Sequence, residues 1–136
     1  MTKNKMEKIA VWLALGAGGL DFCTGLGLVF APALALKLMG ATPLGMEALV
    51  YLRWIGAFVA AVGFSYLWSL WRSNVALLRA ALELSIWFRL AAGGYSAWAV
   101  DTGALPLSWI SVPVTDFGLA AAQVWLLWRG VFRHEV

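Results

Sequence analysis

The chain has 136 residues, 62% of them apolar and 12% charged, with a formal charge of +3. Soluble domains average about 45–50% apolar and about 25% charged, so this composition excludes an ordinary water-soluble enzyme and points to a bilayer. The single cysteine, Cys23, and the single histidine, His134, exclude an internal disulfide, a C-x-x-C redox pair and a His-rich metal or bis-His haem site built within one chain.

The length corresponds to one domain, residues 1–136. A membrane-crossing helix needs about 20 mostly apolar residues. Four segments meet that need, at about 9–30, 50–71, 75–100 and 105–128. The sequence therefore predicts an all-α, polytopic membrane protein built as a four-helix bundle. The first segment follows Lys3, Lys5 and Lys8, and Ala33-Leu-Ala35 has the form of a signal-peptidase site. Its apolar run exceeds the usual signal-peptide core and contains Asp21, so it reads as a retained helix.

Between the first and second segments, Pro32 is placed to open a short helix. Leu34, Leu36, Leu38 and Met39 around Lys37 read as a piece lying at the membrane interface. An ordinary surface loop is the alternative there. Gly40 and the stretch from Thr42 to Gly45 supply turns.

The basic residues Lys3, Lys5, Lys8, Arg72, Arg129 and Arg133 fall on one side of four crossings, with Arg79 just inside the third segment. The positive-inside rule places both termini in the cytoplasm. The tryptophans divide in the same way. Trp12, Trp68, Trp71, Trp125 and Trp128 form a belt at the basic end. Trp54, Trp98 and Trp109 form another at the opposite end, with Tyr51 and Tyr95, and Trp87 alone falls near mid-span. The moderate net charge is distributed for topology and not for nucleic acid.

Asp21, Arg53, Arg79, Glu83, Arg89 and Asp116 fall inside the predicted helices. Ionisable residues within a bilayer face the bundle interior, pair with one another or line a wet cavity. At 1.5 Å rise per residue, Asp21 and Asp116 lie about 18 Å, and Arg89 about 21 Å, from the basic end. The expectation is an Asp21–Arg89–Asp116 cluster, with Arg53 closing it from the outer side. Small residues flank these charges at helical spacing: Ala17, Gly18 and Gly25 around Asp21, Gly93 and Ser96 after Arg89, Gly56 and Ala60 after Arg53. Gln123 shares the face of Asp116. Arg79 and Glu83 are spaced to pair along their own helix, and Glu83 is turned about 120° from Arg89. Gly19, Cys23 and Gly27 form a small-residue series that would serve either packing within the bundle or an oligomer interface. Pro113 is placed to kink the fourth helix.

The stretch Arg53-Trp-Ile-Gly-Ala-Phe-Val-Ala-Ala-Val-Gly63 puts an arginine at a helix start before a glycine-rich apolar run. With four short-looped helices, it resembles the DoxX-like group of small bacterial membrane proteins. That resemblance implies a bacterial-type inner (plasma) membrane. It also implies a lipophilic electron carrier nearby, since some members are associated with quinone-linked oxidation of sulfur compounds.

Three functions follow as expectations. The first is a charged pocket formed by Asp21, Arg53, Glu83, Arg89, Asp116 and Gln123 that binds a quinone-like or lipid-headgroup-like ligand. The second is an oligomeric transporter or channel exchanging protons or cations at Asp21, Glu83 and Asp116. The third is an accessory subunit of a larger membrane complex, with purely structural charges. The chain offers no catalytic motif and no metal-ligand set, so an enzyme is not expected.

Overall fold

The computed structural model describes residues 3–132. Arg133 and His134, and the side chain of Lys3, lie outside the described residues. Every regular element is helical among those described. In chain order they are α1 (Lys3–Phe30), α2 (Pro32–Leu38), α3 (Met46–Trp71), α4 (Val75–Asp101), a 3₁₀ turn (Leu107–Ile110) and α5 (Ser111–Trp128).

The helix ends follow from local chemistry. Pro32 opens α2 at a position where its missing N–H is no loss, as expected from the sequence. Gly40 ends α2 with φ +69, and the amides of Gly40 and Ala41 bond back to Lys37 and Leu36. Residues 72–74 join α3 to α4, and the side chain of Asn74 caps α4 by accepting from the Leu77 amide at 2.9 Å. So short a link makes the two helices antiparallel neighbours.

Pro113 differs from expectation. It falls in the first turn of α5, which starts at Ser111. Amides of a first turn have no intrahelical partner in any case, so the proline frees no carbonyl and needs no kink.

α1 packs most closely on α3, and α4 on α5, while the α3–α4 seam is looser. The α1–α3 contact is made by glycines. A Cβ at Gly18 would meet the Tyr66 Cβ at 2.8 Å, and one at Gly56 would meet the Leu28 Cβ at 2.6 Å. Added Cβ atoms at Gly25 and Gly63 would strike the backbones of Ala60 and Phe22. Backbone-to-backbone approach of this kind is the usual way helices associate where lipid removes the hydrophobic drive between them. The seam does not use Gly19, Cys23 and Gly27: Gly19 has no atom near its face and Cys23 is exposed.

Apolar clusters close both ends of the bundle. One joins Met6, Tyr66, Leu82, Leu126 and Phe132. The other joins Leu28, Leu36 and Leu52, with Trp109 against them. Leu36 thus anchors α2 to the bundle, while Leu34 and Leu38 face outward. The outside is apolar over most of its area, with Trp12, Phe30, Trp71, Trp87 and Trp128 each more than two-thirds exposed.

Among the described residues, three helical stretches are long and apolar enough to cross a membrane: Lys5–Phe30, Met46–Trp71 and Leu107–Trp128. The 27 residues of α4 are equally long, but Arg79, Glu83 and Arg89 lower its apolar character.

Candidate functional site

Between the two apolar ends the interior is polar. One face of α4, running through Leu78, Leu82, Ser85, Arg89, Gly93 and Ser96, is buried throughout. That stripe carries Arg89 inward, leaving it 3% exposed. Its guanidinium spans two helices. Nη2 donates to Asp21 Oδ2 on α1 at 2.5 Å, and Nη1 donates to Asp116 Oδ1 on α5 at 3.0 Å. Gly93, one turn beyond, lets α5 come close: a Cβ there would press on Phe117 Cε1 at 3.0 Å and on the Asp116 Cβ at 3.2 Å.

The cluster forms one wall of a cavity of about 220 Å³. Val59 and Val62 of α3 line it opposite the charges, and Ile55, Phe58, Phe88 and Ala92 line its margin. Those last four are exposed, so the cavity opens sideways between α3 and α4 and not along the bundle axis. A larger groove of about 360 Å³ continues along the same seam, past Ala61, Trp68, Ala80 and Leu84. Phe58, Val62 and Phe88 line both spaces and join them.

A second polar layer lies one helical turn from Arg89. The Tyr66 hydroxyl bonds to Ser85 and accepts from Gln123 Nε2. Tyr66 and Gln123 have no exposed surface. Sequence reasoning missed Tyr66. The signal was available: Gly56, Ala60, Gly63, Tyr66 and Ser69 recur at helical spacing, and all are buried. Phe58 and Phe88, which frame the cavity, were likewise not singled out.

The other expected site residues lie elsewhere. Arg53 is exposed, and its Nη1 donates to the Val29 carbonyl at 2.8 Å. Val29 belongs to the last turn of α1, where carbonyls have no partner within the helix. A guanidinium there satisfies one of them, about 12 Å along the helix from Asp21. Arg53 therefore tethers α3 to the end of α1 and does not close the cluster. Glu83 accepts from Arg79 Nε at 2.8 Å on the outer face of α4, and both side chains are partly exposed. Gln123 is buried as expected, but its partner is Tyr66 and not Asp116.

Buried polar atoms are almost always hydrogen-bonded, so exceptions carry information. Arg89 Nε and Gln123 Oε1 are buried with no protein partner among the described residues. Each carboxylate of the cluster also has an oxygen, Asp21 Oδ1 and Asp116 Oδ2, that accepts no hydrogen bond among those residues. The site thus retains unused bonding capacity where it meets the cavity. No group of His, Cys, Asp and Glu among the described residues converges to hold a metal ion.

Fold and site together define a class: a protein all-helical over the described residues, three of whose helices there are able to cross a membrane, with a buried Arg89 ion-pair cluster facing a lateral cavity. Comparison with protein-family models, curated proteins and solved structures returns no match.

Proposed function

We propose that this chain is a four-crossing membrane protein that binds a lipophilic ligand entering sideways from the bilayer. The polar end of the ligand rests against Asp21, Arg89 and Asp116. A single observation carries the reading: the buried charges wall a cavity whose mouth is framed by outward-facing Ile55, Phe58 and Phe88. Purely structural charges need no cavity and no open mouth. Intramembrane ionisable groups of this kind mark ligand, ion or proton sites.

The length of α4 and its position between α3 and α5 support its crossing with the other three helices. Basic and aromatic residues support cytoplasmic termini. Arg72 lies over the Trp68 ring at 5.8 Å and Arg129 over the Trp125 ring at 5.9 Å, both at the end where α1 begins. The DoxX-like resemblance adds quinones to the ligand classes to look for.

A second reading, Arg89 as a clasp in an accessory subunit, draws support from its bonds to two different helices. The test is direct. Protein purified in a mild detergent is extracted, and its small molecules are identified by mass spectrometry, beside an Ala92→Phe variant whose new ring fills the cavity mouth. A lipophile enriched in the native protein and lost from the variant is expected. Identical extracts from the two proteins would overturn the ligand reading and leave the clasp.

A further inference from the structure

The charge count at the cavity narrows the kind of ligand. One guanidinium faces two carboxylates, and its two terminal nitrogens are each committed to one of them. With all three groups ionised the cluster carries one excess negative charge. Among the described residues no other base lines the cavity to offset it. Arg53 is held by the Val29 carbonyl, and Arg79 by Glu83. The remaining walls of the cavity are hydrocarbon. An uncompensated charge in such surroundings is costly, which is why buried charges are paired, bind a counter-ion or are neutralised by a proton.

The unused carboxylate oxygens point the same way. Asp21 Oδ1 and Asp116 Oδ2 are acceptors in want of N–H or O–H donors. Arg89, with 97% of its surface covered, keeps Nε unpartnered, and each terminal nitrogen spends one of its two N–H groups on a carboxylate. A phosphate or carboxylate headgroup would be repelled by two carboxylates, both less deeply buried than Arg89. A positively charged amine would meet two acceptors and neutralise the site.

Building on the lateral-site reading above, we infer that the ligand is a lipophilic monocation: a protonated amine on an apolar body. The ammonium sits between Asp21 and Asp116. The apolar body leaves the charged cavity past Phe58 and Phe88 and lies in the 360 Å³ groove between α3 and α4. Both aromatic rings are at the junction, where their faces also favour a cation in passage. A membrane lipid with an amine headgroup and a free lipophilic amine share this chemistry.

The test uses the full chain in lipid nanodiscs and a matched set of probes: octylammonium, octanol and octanoate. Binding is measured by calorimetry against protein-free nanodiscs. Octylammonium is expected to bind at least about tenfold more tightly than octanol, and octanoate not measurably. Replacing both acids (Asp21→Asn with Asp116→Asn) should bring octylammonium to within about threefold of octanol. Ala92→Phe should abolish binding of both while leaving every charge and the melting temperature in place. Octanol and octylammonium binding equally, and both lost in Ala92→Phe, would overturn the cation inference but leave the lateral site standing. Failure of all the probes would overturn both. Nanodiscs with and without an amine-headgroup lipid then separate the sources, because a resident lipid of that kind competes with octylammonium and lowers its apparent affinity.

Discussion

Arg89 is the residue on which the interior depends. It is the only described group that bonds to both α1 and α5 from α4, and truncating it would leave two carboxylates buried without a counter-charge. Removing one partner of a buried pair typically costs about 3–5 kcal/mol, whereas an exposed i,i+4 pair contributes only about 0.2–0.5 kcal/mol. Arg89→Ala should therefore lower the melting temperature in detergent far more than Arg79→Ala, whose pair with Glu83 is partly exposed. Similar melting temperatures for the two variants would count against a central role for the cluster. Asp21 permits a finer distinction. Its Oδ2 accepts from Arg89, and an amide oxygen can do the same. Asp21→Asn should yield far more folded protein than Asp21→Leu, which leaves the guanidinium with no acceptor on α1. Equal losses in a detergent-stability assay would contradict this.

The helices work in pairs. In α1 and α3, glycines at positions 18, 25, 56 and 63 bring the two backbones together, so that Asp21 lies at the level where Arg89 reaches across. A side chain at Gly63 has no flexible neighbour to displace, because the backbone of Phe22 occupies the space. Gly63→Val should force the pair apart and destabilise the fold by several times the effect of Gly19→Val. The outer face of Gly19 is open, with no atom within 4 Å. Chemical denaturation of the two variants side by side provides the comparison, and equal destabilisation would argue against the glycine seam. The α3–α4 seam has the opposite character. It is loosely packed and flanked by exposed Phe58 and Phe88, which is why the cavities form there and not between α1 and α3.

At the level of the whole molecule, a wide apolar exterior surrounds a narrow polar interior closed at each end by an apolar cluster. A bilayer is the solvent such a surface fits, and the proposed crossing of α4 is compatible with it because its charges turn inward or toward one end. The proposed four crossings with cytoplasmic termini make a simple prediction. Green fluorescent protein fused to either terminus should fluoresce, and alkaline phosphatase fused to either should be inactive. An active phosphatase at one terminus only would mean an odd number of crossings, with α4 the first helix to reconsider.

Much of this was legible in the sequence because helical periodicity and depth are one-dimensional properties. The lengths of the apolar runs predicted the long helices. A rise of about 1.5 Å per residue put Asp21, Arg89 and Asp116 at one level, and they meet there. Pro32 and Gly40 marked α2 through their own backbone limits. Sequence reasoning failed where the answer depended on which helices are neighbours. Arg53 lies on a stripe of small residues, but that stripe serves contact with α1, and the nearest unmet acceptor was a helix-end carbonyl that no side-chain pattern reveals. Gly19, Cys23 and Gly27 had the right spacing for close packing but lie on a face that α3 does not cover. Tyr66 went unnoticed because its partners, Ser85 and Gln123, come from two other helices whose rotation no single-helix pattern reveals. The sequence by itself determined the helices, their apolar surfaces and the depth of the charges, because these follow from local composition and a fixed rise. Only the tertiary structure decided that Arg53 stands outside the cluster and that a lateral cavity opens beside Asp21, Arg89 and Asp116, because both depend on the rotation and spacing of helices packed against one another.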